Sequence, residues 1–131
     1  KRFEDLECWQ EARSLARYVY IYTKRPDFSK DRRLSEKIIE ACIEIMKDIS
    51  EGFNSRSKPE FLRFLAHSRR SCAEVQNCLY LALDQKYISE DEFAVIYGRC
   101  EKLLKMIEGL IRYLKRSLAI SFWPLVARSA D

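Results

Sequence analysis

Histidine is almost missing from this chain: His67 is the only one in 131 residues. Glycine and proline occur three times each. So little of either argues against a β-sandwich with many tight turns, and against a glycine-rich phosphate loop or Walker motif. No apolar stretch is long enough to span a membrane before charged residues interrupt it, and no secretory leader is visible. The five cysteines, Cys8, Cys42, Cys72, Cys78 and Cys100, are odd in number and contain no CxxC pair. Neither a disulfide framework nor a zinc site fits that pattern; buried, reduced thiols of a cytoplasmic protein do. No metal or other cofactor is expected.

A lone histidine also limits nucleophilic chemistry. Cys72 lies five residues beyond His67, and at about 100° per residue the two side chains diverge by about 140° around a helix. A Cys–His pair needs convergence and a third, orienting group. His67 is therefore read as a surface or interface residue, and the chain as not an enzyme.

What the chain has is helical periodicity. The composition is 47% hydrophobic and 34% charged, enough for one domain with a core. The stretch from Ile49 to Leu65 organises the rest. Gly52 is read as a helix stop in the left-handed conformation. Ser57, Pro59 and Glu60 restart a helix through a capping box with proline in the first turn.

Around this corner, apolar residues at three- and four-residue steps predict four helices. The first runs from Phe3 to Lys24, where Pro26 ends it. A basic connector follows at Phe28–Arg33. The second helix runs from Ser35 to Glu51, with Ile38, Cys42, Ile45 and Ile49 inward. Its Glu36, Glu40, Glu44, Asp48 and Glu51 form an acidic stripe read as facing solvent. The third runs from Lys58 to Lys86. The fourth opens on a second capping box, Ser89 to Glu92, with acidic residues at the positive end of the helix dipole. The expected fold is all-α: an antiparallel up-down-up-down four-helix bundle over 1–117. An apolar tail at 118–131 would dock on the bundle or on a neighbouring chain.

The net charge is +4. That permits a nucleic-acid partner without demanding one, and it multiplies if copies assemble. Arg63 and Arg70 share a face of the third helix, either as a phosphate-binding ridge or as a solvated face paired with acids such as Glu60 and Glu74. The fourth helix carries the strongest basic run: Arg99, Lys102, Lys105, Arg112, Lys115 and Arg116. The candidate nucleic-acid-binding residues are Arg63, Arg70, Arg99, Lys102, Arg112 and Arg116. Such contacts would go to phosphates.

The segments FEDLECWQEAR, ISEGFNSRSKPEFLRFL and AEVQNCLYLALDQKYISEDEF resemble the four-helix-bundle family of ribosomal intervening-sequence proteins. These are small bacterial proteins, some encoded within insertions of 23S ribosomal RNA genes. The resemblance spans roughly Phe3 to Lys115. Its most specific pieces are Glu51-Gly52, the polar turn with Arg56 and Lys58, and the Phe61–Leu65 helix start; Phe3, Leu6 and Trp9 add to them. The family is similar in fold to accessory proteins of diversity-generating retroelements, which form basic pentameric barrels that bind nucleic acid and a reverse transcriptase. Two positions depart from the family: Met46 stands where a proline is usual, and Glu40 where an arginine is. The missing proline should straighten the second helix, and the missing arginine weakens any RNA contact from it.

The resemblance thus implies a homo-oligomer, a pentamer by analogy, that binds RNA or another nucleic acid. The alternative is an accessory scaffold that binds a reverse transcriptase, which the acidic stripe and the apolar tail would suit.

Overall fold

The protein, as a computed structural model, is described with side chains for residues 1–119, and the course of its last helix is followed to Ser129. A 3-10 turn, Phe3–Asp5, precedes five α-helices. These are α1 (Glu7–Thr23), α2 (Pro26–Lys30), α3 (Arg32–Asn54), α4 (Lys58–Asp84) and α5 (Glu90–Ser129). The four long ones are the predicted four, and no strand occurs among the described residues.

Each long helix packs on the next in sequence, α1 on α3, α3 on α4 and α4 on α5, and α5 closes back on α1. On α3 the inward seam is the predicted Ile38, Cys42, Ile45 and Ile49. Leu15 and Val19, Ile38, Ile45 and Ile49, Leu65, Val75 and Leu79, and Ile96, Leu103 and Ile107 are all buried almost completely. Each such side chain contributes about 1.5–3 kcal/mol on leaving water. All five cysteines are free and buried. Burial pushes the Cys8 thiol up to about 11 and Cys42 up to about 12, so neither forms a ready thiolate.

Several boundaries differ from expectation. The first helix is broken at Leu6, whose backbone is extended, after the Asp5 carboxylate accepts a hydrogen bond from the Arg2 amide at 3.1 Å. Pro26 does set Arg25 extended, but it then opens a short helix of its own, α2. The connector is therefore structured: Phe28 is 1% exposed and stacks on Tyr87 with ring centroids 5.0 Å apart. Asp31 caps α3 by accepting from the Leu34 amide, so this helix starts three residues before Ser35.

Gly52 is not a left-handed stop. It lies inside α3, which continues to Asn54, and no glycine has positive φ. Its role is close approach: a Cβ there would sit 2.8 Å from Phe61 Cδ1 and 2.9 Å from Phe64 Cβ. The left-handed position belongs instead to Lys86, at φ 64°. It closes α4 with paired bonds from the Lys86 amide to Leu83 O and from the Tyr87 amide to Ala82 O, each 2.9 Å.

At the other end of the chain, α5 carries on beyond Pro124 to Ser129. The expected docking of the 118–131 tail concerns side chains that lie, from 120 onward, outside the described residues.

Candidate nucleic-acid interface

The six candidate cations fall into three pairs with different surroundings. Arg63 and Arg70 project from α4 into a groove between α3 and α4. Ser57 caps α4 by accepting from the Glu60 amide at 3.2 Å. The Glu60 carboxylate does not reach back to complete the box; it accepts from Arg63 at 2.8 Å. Arg63 also lies over the Phe64 ring, 4.8 Å from its centroid. The groove has a volume of about 280 Å3 and is lined by Glu44, Lys47, Asp48, Glu51, Arg63, Phe64, His67 and Arg70. Its charge is mixed, so Arg63 and Arg70 do not face an all-cationic surface.

Arg99 and Lys102 face α1. Arg99 donates to Ser14 Oγ at 3.3 Å and Tyr18 Oη at 3.1 Å, and stacks over the Tyr18 ring at 4.4 Å. Both cations converge on Glu11, each at 3.6 Å. Glu11 Oε1 is buried with no hydrogen bond, so these charges are what offset its desolvation. Arg99 thereby ties α5 to α1, while the Lys102 side chain stays 65% exposed.

Arg112 and Arg116 are exposed on α5. With Lys102 and Lys105 they occupy one arc of roughly 80°, at about 100° per residue, over a length of about 21 Å. All four are exposed, and among the described residues no ion pair engages Lys105, Arg112 or Arg116. This cationic strip is not unbroken: Glu101 and Glu108 precede Lys105 and Arg112 by one turn, and Gly109 lies between the two pairs of cations.

Two features escaped the sequence. Asp48 belongs to the acidic stripe read as solvent-facing, yet it is only 5% exposed, and His67 Nδ1 lies 2.5 Å from its Oδ2. Residues four apart drift by about 40° per step, so a stripe that starts outward at Glu36 has turned about 120° by Asp48. Arg25, beside the Pro26 read as ending the first helix, clamps one end of the bundle. It pairs with both oxygens of Glu92 and donates to Tyr87 O, while Tyr87 Oη donates to Asp31.

No helix among the described residues is long and apolar enough to cross a membrane. The chain is similar to a crystal structure of a protein of unknown function from the S23 ribosomal protein family of Bacteroides thetaiotaomicron VPI-5482. The TM-score is 0.73 at 20% identity, covering 79% of this chain and 97% of that one; at that identity the likeness concerns the fold. No curated protein sequence matches. Residues 4–109 match the family model described as 23S rRNA-intervening sequence protein. With most of its bundle inside that match, the chain belongs to the 23S rRNA-intervening sequence protein family.

Proposed function

We propose that this protein is a non-enzymatic, cytoplasmic bundle that assembles with copies of itself and binds structured nucleic acid, RNA first, through the α5 strip. The observation that carries the reading is the exposed arc of Lys102, Lys105, Arg112 and Arg116, three of them outside any ion pair among the described residues. Cations held by no carboxylate are available to displace counterions from phosphates. The residual net charge of +4 is small for one chain, and an oligomer, a pentamer by family resemblance, would sum it into a field that reaches a polyanion. Exposed apolar residues such as Ile21 and Val95 favour such assembly. Arg63 and Arg70 form a secondary contact, and Arg99 acts through the bundle's integrity.

The test is RNA binding by fluorescence anisotropy across a salt series with a structured RNA. Affinity should fall linearly in log–log form. Arg112→Ala with Arg116→Ala should lower the slope by about 1.4–1.8, near 0.7–0.9 for each phosphate no longer neutralised. An unchanged slope in the double variant, or no binding by the wild-type chain at low salt, would overturn the reading.

A further inference from the structure

We propose that Glu44, Asp48 and His67 form a binding site for a divalent first-row transition cation, opening onto the groove between α3 and α4. Glu44 and Asp48 are four residues apart on α3, so their carboxylates lie one turn apart on neighbouring faces. His67 approaches from α4 with Nδ1 2.5 Å from Asp48 Oδ2. One ligand atom from each of the three residues lies within 4.8 Å of the other two. Bonds of about 2.0–2.2 Å from a tetrahedral zinc ion to nitrogen and oxygen place ligand atoms roughly 3.4 Å apart. To reach that spacing His67 Nδ1 and Asp48 Oδ2 would move apart by roughly 1 Å.

Burial makes this cluster more than a group of surface acids. Asp48 is 95% buried by accessible area and directs a carboxylate at a single imidazole, its one hydrogen-bond partner among the described residues. A desolvated carboxylate calls for a compensating positive charge. The cation would sit between Asp48 and His67 and bond to both, with the imidazole as the tautomer whose Nδ1 lone pair is free.

The donor set selects among metals. One imidazole nitrogen with two carboxylates suits zinc, cobalt, iron or manganese, whereas calcium and magnesium take oxygen ligands and more of them. The charges around the groove act in the same direction. Lys47, which lies 4.0 Å from Glu44, together with Arg63 and Arg70, outnumbers Glu51, so the charges beside the ligands oppose a cation. A cation held by bulk charge gains little there; one held by directional bonds to nitrogen and oxygen gains most. Three protein ligands leave coordination positions facing the groove, the arrangement of an open rather than a closed structural site.

The experiment uses the full chain, stripped with a chelator and kept reduced, and titrated with Co2+ by absorption and with Zn2+ by calorimetry. The expected result is saturable binding of one ion per chain, with visible ligand-field bands and no sulfur-to-cobalt charge transfer. His67→Ala and Asp48→Asn should each weaken binding by roughly 100-fold, the upper end of losses seen even for outer-shell partners. Glu44→Gln, on the half-buried ligand and least harmful to folding, should weaken it by roughly 10-fold. Circular dichroism of each variant separates lost binding from lost fold, and Glu44→Gln keeps the test decisive if Asp48→Asn unfolds. Absence of saturable binding by the wild-type chain, a thiolate charge-transfer band, or full affinity in folded His67→Ala or Glu44→Gln would overturn the proposal.

Discussion

Gly52 and Gly98 are both helical glycines, and the residue scale separates them completely. A methyl at Gly52 would meet Phe64 Cβ, an atom fixed to the α4 backbone, so the helices would have to part. Gly52→Ala should therefore destabilise the fold by about 1–3 kcal/mol, the usual range for overpacking. At Gly98 nothing lies within 4 Å of the added carbon. Gly98→Ala should stabilise by about 0.5–1 kcal/mol through the backbone freedom that glycine loses on folding. Urea midpoints moving in opposite directions would verify both; a neutral Gly52→Ala would refute the close-approach role. A glycine beside a polar turn reads as a cap because local sequence cannot show which helix will cross it. The role of Gly52 was written in Phe61 and Phe64, nine and twelve positions away.

Among the elements, the start of α5 was the most legible, because its signals are local. Ser89 Oγ accepts from the Glu92 amide at 3.1 Å, and the Glu92 carboxylate accepts from the Ser89 amide at 2.8 Å, as a capping box requires. The same carboxylate's bond to Arg25 spans 67 residues, which no periodicity reveals. Together Arg25 first, then the Ser89 amide, hold the Glu92 carboxyl down at about 2, from an ordinary 4.5. The folded state thus favours the ionised form. The stabilisation is complete above about 4.5 and disappears as pH falls toward 2. Arg25 and Glu92 side chains are 38% and 28% exposed, so solvent screening leaves the pair about 1–2 kcal/mol. Glu92→Gln should lose that amount at neutral pH and flatten the stability profile between pH 4.5 and 2. Denaturation midpoints across that window measure it, and parallel profiles for variant and parent would contradict the clamp.

For the molecule as a whole, the four-helix architecture was readable because each seam repeats over many turns, and errors at single positions cancel. The distribution of charge was not, because helical spacing says which cations share a face but not which acids oppose them. Arg99 and Arg112 look equivalent in the chain; in the fold, Arg99 neutralises half-buried Glu11 and grips Tyr18, whereas Arg112 lies exposed outside any ion pair among the described residues. The two substitutions to alanine lower the net charge equally, so any difference between them is positional. Arg99→Ala strips charged hydrogen bonds from the α1–α5 seam and leaves Glu11 with Lys102 alone. It should cost about 1–2 kcal/mol, toward the lower end for bonds to charged groups because Arg99 is partly exposed. Arg112→Ala, on the surface, should stay within about 0.5 kcal/mol of the parent. Nucleic-acid affinity, measured at a temperature where both variants are folded, should show the reverse order, with Arg112→Ala the weaker binder at low salt. Equal losses of affinity would mean that total charge rather than the α5 strip attracts the polyanion, and equal losses of stability would remove Arg99 from its place in the bundle.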